Sequence, residues 1–179
     1  MLKQVVRYLI GTEHYGILLP RTGEGLKCWV DADWERDLSK RRSRSGILIK
    51  FDSEPIIWIS KLQPTTARST AEAEFNALSQ GIKKLKWIRQ VLEEIGIPQK
   101  NLTTVLQDNL GAISWTQDVQ GLRRVKHVGI KYHYVRDSIE NKDAEVKFTP
   151  SNQNHSDSLT KTLIGEECYR HRTSLGVTI

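Results

Sequence analysis

STAEAEFNALSQGIKKLKWIRQVLEEI, residues 69–95, is the stretch whose reading decides the fold. Ser69 followed three positions later by Glu72 has the spacing of a capping box, and Gly96 with Pro98 supplies a stop, so one long helix is predicted. Ala71, Phe75, Leu78, Ile82, Leu85 and Leu92 fall on one stripe at about 100° per residue, the face such a helix lays against a sheet. Glu74 lies inside that stripe. Glu72 projects well away from it, toward the helix N-terminus and solvent, where capping accounts for it. Glu74 has no comparable structural reason and is the first candidate functional residue.

Working outward, KCWVDADW (27–34), SRSGILIKF (43–51) and PIIWIS (55–60) are rich in β-branched and aromatic residues. The polar connections between them are short, which favours an antiparallel meander of three strands. Before them, LKQVVRYLI (2–10) has apolar residues at helical spacing and ends at Gly11, so a short helix leads into the domain. After the long helix, TTVLQD (103–108) reads as a strand and residues 109–117 as a short helix. Residues 127–140 read as a second helix, AEVKFT (144–149) as a strand, and about 155–163 as a last short helix. Strand, helical crossover and strand imply a parallel pairing with a right-handed connection. Beyond Gly165 the tail is polar and basic.

At 179 residues the chain is long enough for one domain with its own core. No apolar run approaches the roughly 18 residues that span a bilayer, and the N-terminus lacks the pattern of a signal peptide. Cys28 and Cys168 have no C-x-x-C spacing, which argues against a zinc knuckle or a disulfide framework and for a reducing, intracellular setting. A net charge of +6 and a pI near 9.4 favour a polyanionic partner. The basic residues cluster at Arg36–Arg44, Lys83–Arg89 and Arg123–Lys131.

Three further carboxylates stand where a fold can aim them. Asp31 lies in the first strand of the meander, Asp108 ends TTVLQD, and Asp157 opens the last short helix. Gathered with Glu74, four like charges repel one another unless divalent cations neutralise them. Metal-dependent phosphodiester chemistry is therefore the first hypothesis.

The motifs also read as a set: WVDADWERD (29–37), RSRSGILI (42–49), PIIWISKLQPTTARSTAEAEFNAL (55–78), LQDNLGAI (106–113), VKHVGIKYHYVRD (125–137) and NHSDSLTKTL (154–163). In this order and spacing, over residues 2–163, the chain resembles the ribonuclease H domain at the C-terminal end of Pol polyproteins from copia-type LTR retrotransposons. The resemblance implies an α/β, RNase H-like fold: a mixed five-stranded sheet, three strands antiparallel and then two parallel, flanked by helices. It makes residues 21–165 the nuclease domain, 1–20 a remnant of the connection to the reverse transcriptase region, and 166–179 a basic C-terminal tail.

It further implies a D-E-D-D set of Asp31, Glu74, Asp108 and Asp157, holding two Mg²⁺ ions for which Mn²⁺ substitutes. Asp31 then bridges both ions, Glu74 and Asp108 lie on the nucleophile side, and Asp157 holds the weaker second ion. The implied partners are an RNA/DNA hybrid and the reverse transcriptase region of the same polyprotein, with no membrane. Cytoplasmic virus-like particles, with the nucleus as an extension, are the location inferred from the family.

For the hybrid, Lys61, Gln63 and Thr65 in the connection before the long helix, Arg68 and Ser69 at its N-terminus, and Asn109 beside Asp108 are the candidate contacts. Asp33 points to the same face of its strand as Asp31, about 7 Å further on, and is expected to support the site. Of His127, His133 and His155, the last is nearest a carboxylate, with a lone surface histidine as the alternative for each. Lys161 is a candidate phosphate contact or a helix-end charge. Core packing is expected for most of Trp29, Trp58, Trp87 and Trp115.

The reading is a metal-dependent endonuclease that cuts the RNA strand of RNA/DNA hybrids. Its rivals are a catalytically silent or host-adopted nucleic-acid-binding module, a DDE integrase or transposase core, and a structural module packed on a polymerase.

Overall fold

Ser69 caps the long helix α2 (Thr70–Glu94), its hydroxyl accepting from the Glu72 N–H at 3.2 Å. The return bond of the box is shifted by one residue, because Glu72 Oε2 accepts from the Arg68 N–H at 2.9 Å. That bend folds the Glu72 carboxylate onto the chain entering the helix, so Glu72 is buried rather than directed to solvent. Its function as a cap stands. The computed structural model describes residues 2–18, 23–37, 42–117 and 129–179.

Before α2 run α1 (Leu2–Gly11), β1 (Gly16–Ile17), β2 (Leu26–Asp37), β3 (Arg42–Phe51) and β4 (Glu54–Leu62). After it come β5 (Thr103–Gln107), α3 (Leu110–Gln117), α4 (Gly129–Glu140), β6 (Ala144–Phe148), α5 (Asp157–Thr160), α6 (Gly165–Ser174) and β7 (Val177–Thr178). The main sheet has the order β4-β3-β2-β5-β6, with β2, β3 and β4 antiparallel and both β2–β5 and β5–β6 parallel. This is the predicted mixed five-stranded sheet.

Alternation along β2 divides its side chains between two layers. Cys28 and Val30 join the core with Phe75, Leu78, Ile82 and Leu85 of α2. The helix comes close because residue 81 is glycine: a Cβ there would stand 2.5 Å from Val30 Cγ1. Trp29 and Asp31 alternate with those residues and point to the opposite face. There Gly46, the register partner of Asp31, admits α5; a Cβ at Gly46 would meet Thr160 Cγ2 at 2.7 Å and the Ser156 carbonyl at 2.9 Å.

Several expectations are corrected. The last predicted helix, 155–163, is one turn, α5, preceded by a 3₁₀ turn at Ser151–Gln153. The polar tail contains α6, and β7 pairs antiparallel with β1 through Gly16↔Thr178 and Ile17↔Val177. Trp58 and Trp87 are more than half exposed, whereas Trp29 is buried and Trp115 packs against the core. Trp58 alternates with the inward-packed Ile57 and Ile59 on the edge strand β4, which leaves its face uncovered. The predicted start of the 127–140 helix, with His127, and the basic residues Lys40, Arg41, Arg123, Arg124 and Lys126 lie outside the described residues.

Candidate active site

Three of the four predicted carboxylates meet: Asp31, Glu74 and Asp108 each bring one oxygen within 4.8 Å of the other two. Asp31 comes from the middle of β2, Glu74 from the second turn of α2, and Asp108 from the first position past β5. Asp157, at the start of α5, stands beside this triad and is joined to Asp31 through Lys161.

The side chains that hold these acids come from neighbouring positions. Gln107 is fully buried; its amide nitrogen reaches Glu74 Oε2 at 3.3 Å, and its Oε1 accepts from the N–H groups of Asp108 and Asn109 at 2.8 and 3.2 Å. One amide thus ties the helix carboxylate to the end of β5. Ser151 donates to Asp108 Oδ2 at 2.6 Å, and the Thr160 hydroxyl donates to Asp31 Oδ2. Behind α5, Asn154 donates to the Val30 carbonyl at 3.0 Å while its Oδ1 accepts from the Ser156 hydroxyl at 2.6 Å and from the Ser156 N–H at 3.2 Å. Asn154 and Ser156 are fully buried, so this chain fixes α5 to the strand that carries Asp31.

Burial works against the charge on these groups. It pushes the Asp31 carboxyl up to about 6, opposed by the Thr160 hydrogen bond and the Lys161 charge. Burial, reinforced by the charges of Asp31 and Asp108, pushes Glu74 up to about 9. Asp157 is raised too, chiefly by burial. Its Oδ1 is buried and accepts no hydrogen bond among the described residues. Convergence of three carboxylates, with Asp31, Glu74 and Asp157 pushed up by burial and one Asp157 oxygen orphaned, is what a multivalent cation relieves. The all-oxygen donor set fits Mg²⁺ or Mn²⁺.

The remaining predicted residues divide. Lys61 and Thr65 line an open groove of about 680 Å³ whose other cationic members, Arg42, Arg44 and Lys131, belong to the basic clusters of the sequence but were not among the predicted hybrid contacts. Gln63 also borders this groove but is 1% exposed; its amide bonds Ser45 Oγ, the Ala73 carbonyl and Asn76. Lys131 caps that chain at Asn76 Oδ1, 2.7 Å away, so Gln63 orders the groove wall rather than presenting itself at the surface. Ser69 and Asn109 spend side-chain oxygens on helix N-termini, Asn109 Oδ1 accepting from the Ala112 N–H at 2.9 Å. Arg68 is exposed at the entrance to α2. Asp33 pairs in register with Arg44 and is outside the triad.

His155 is half-buried rather than a lone surface histidine. Its ring stacks on Trp29 with centroids 4.7 Å apart, and burial, followed by the Lys50 charge, lowers it to about 4. The neutral ring pins the turn before Asp157. His133 is exposed on α4. Sequence reasoning passed over Gln107, Ser151, Asn154 and Thr160, whose partners are distant in sequence: Thr160 and Asp31 are 129 positions apart.

Comparison with known proteins agrees with this geometry. No family model matches the chain. The solved structures it resembles include LC11-RNase H1 from a compost metagenome, with a TM-score of 0.54 at 17% identity over 75% of this chain and 91% of that one. Prototype foamy virus protease–reverse transcriptase matches with a TM-score of 0.53 at 14% identity, over 83% of this chain and 22% of that one. The fold is therefore that of ribonuclease H.

The sequence relatives narrow the class. The chain is 31% identical over 178 residues to the retrovirus-related Pol polyprotein from transposon RE1 of Arabidopsis thaliana, covering 99% of this chain. It is 34% identical over 161 residues to that from transposon TNT 1-94 of Nicotiana tabacum, covering 90%. It spans 12% of the length of each. Over most of its length the chain thus matches retrovirus-related Pol polyproteins from copia-type transposons, and its fold is that of ribonuclease H domains.

Proposed function

We propose that this protein hydrolyses the RNA strand of RNA/DNA hybrids in a divalent-metal-dependent reaction, as the nuclease step of reverse transcription. The observation that carries the reading is the Asp31–Glu74–Asp108 triad with Asp157 beside it, on a ribonuclease H fold. LC11-RNase H1, which shares the fold, is known in complex with an RNA/DNA hybrid.

Asp31, Glu74 and Asp108 would hold one divalent cation, and Asp31 with Asp157 a second. When bound, such a pair lowers the pKa of an attacking water and neutralises the departing 3′ oxygen. The chain's own contribution is placement. Gln107 keeps Glu74 and the Asp108 backbone in one frame, Ser151 fixes the Asp108 carboxylate, and Thr160 fixes that of Asp31. The groove of Arg42, Arg44, Lys61 and Lys131 supplies cations for the phosphates of the nucleic acid. We also place the reaction in cytoplasmic particles, with the polymerase region of the polyprotein as partner.

The test is incubation with a labelled hybrid and Mg²⁺ or Mn²⁺, with and without the polymerase region in trans, alongside Asp108→Asn. RNA-strand cleavage by the parent, lost in EDTA and in the variant, is expected. No metal-dependent cleavage under either condition would sink the enzyme and leave a binding module. Duplex DNA cut at least as readily as hybrid would favour an integrase-like activity.

A further inference from the structure

Among the described residues the site contains one ammonium beside its carboxylates, and it is off centre. Lys161 Nζ lies 2.9 Å from Asp157 Oδ2 and 3.8 Å from Asp31 Oδ1. Among the described residues, no lysine or arginine makes an ion pair with Glu74 or Asp108. The placement follows from the backbone. Asp157 and Lys161 are four residues apart on one turn, closed by the Lys161 N–H donating to the Asp157 carbonyl at 2.9 Å. The turn that presents the fourth carboxylate therefore delivers its counterion as well. A four-residue helix has almost no macrodipole, so a helix-end charge does not explain the position.

Resting on the two-cation reading above, we propose that Lys161 is the resident counterion of the Asp31–Asp157 half of the site, and that a divalent cation entering this half must displace it. Among the described residues the Asp31–Glu74–Asp108 half has no such competitor, and it fills first. The Lys161 side chain is 37% exposed on a flexible stem, so its ammonium has a solvent-facing alternative. The two cation positions are unequal in affinity by construction, and the residue that makes them so lies in the D-S-L-T-K segment.

The experiment is titration of the metal-free full chain with Mn²⁺, reading free Mn²⁺ by electron paramagnetic resonance. The proteins compared are the parent, Lys161→Met, Lys161→Arg and Asp157→Asn. The parent is expected to show two sites of different affinity. Lys161→Met should tighten the weaker one by roughly tenfold, the scale of one unit charge removed from about 4 Å in a half-exposed site, and leave the tighter one nearly unchanged. Lys161→Arg should keep the parent's affinities, and Asp157→Asn should lose the weaker site. Thermal melting adds a second readout: Lys161→Met should melt below the parent without metal and level with it in saturating Mn²⁺, whereas a merely structural lysine would lower both. A weaker site unchanged or weakened by Lys161→Met overturns the proposal and leaves the metal centre standing. A parent that binds no Mn²⁺ overturns both.

Discussion

Replacing Gly46 by alanine tests the placement of the fourth carboxylate. The added methyl would lie 2.7 Å from Thr160 Cγ2, 2.9 Å from the Ser156 carbonyl and 3.2 Å from Leu159 Cβ. Relaxed carbon contacts are about 3.5–4.0 Å, so α5 must withdraw by about 1 Å. It cannot simply rotate away, because Ser156 is held through Asn154 to the Val30 carbonyl and the Leu159 carbonyl accepts from Ser60 at 2.5 Å. Overpacking of this kind costs about 1–3 kcal/mol. For a domain of this size that corresponds to a melting point lower by roughly 3–10 °C. The larger effect is expected in function, since a reacting group misplaced by about 1 Å loses on the order of 100-fold in rate. Asp157, Thr160 and Lys161 all move with the turn. The assay is differential scanning calorimetry together with hybrid cleavage in Mg²⁺, using Gly11→Ala as control because a methyl there meets nothing within 4 Å. A Gly46→Ala protein that melts and cuts like the parent would refute the claim that this close approach sets the site.

Two further outcomes are expected. Ser69→Ala removes the acceptor for the Glu72 N–H and should cost about 1 kcal/mol in urea denaturation, with Ser69→Asp restoring most of it. Without metal, stability should fall as pH rises from about 7 to 9: Glu74, held near 9 when folded, is 4.5 in the unfolded chain, so the folded state binds the extra proton through this window. The loss is up to about 1.4 kcal/mol per pH unit, while His155, lowered to about 4, acts with the opposite sign only below pH 6.5. Glu74→Gln should flatten the slope, and Mg²⁺ should reverse it because cation binding needs the charged carboxylate; a metal-free melting point that rises between pH 7 and 9 would refute the assignment.

The elements legible in the sequence were those whose signal is local and repeated. The β2–β4 meander alternates, α2 has its cap and stripe, and β5 (TTVLQ) and β6 (AEVKF) are short β-branched or alternating runs bracketing helical sequence. What escaped was set by partners far away. A single turn such as α5 has too few residues to show a period, and α6 is polar over most of its surface, so its burial of His171 and its closure on the N-terminal segment leave no pattern. Trp58 shows the reverse error: its size argues for the core, but membership of an edge strand decides its exposure.

The candidate site divides along the same line. Glu74 was legible because a carboxylate on an apolar stripe violates the local rule, and such violations concentrate where function overrides folding. Lys161 violates nothing locally, and Gly46 and Gly81 break only the propensity of a strand and a helix interior, which does not say what approaches them. Their reason shows once the topology lays α5 across β3 and α2 across β2. The carboxylates supply the chemistry, but two missing methyl groups set how closely their carriers approach. Asp31 meets Glu74 on a helix drawn in at Gly81 and Asp157 on a turn admitted at Gly46, so the same strand pair that builds the core also fixes the spacing of the acids.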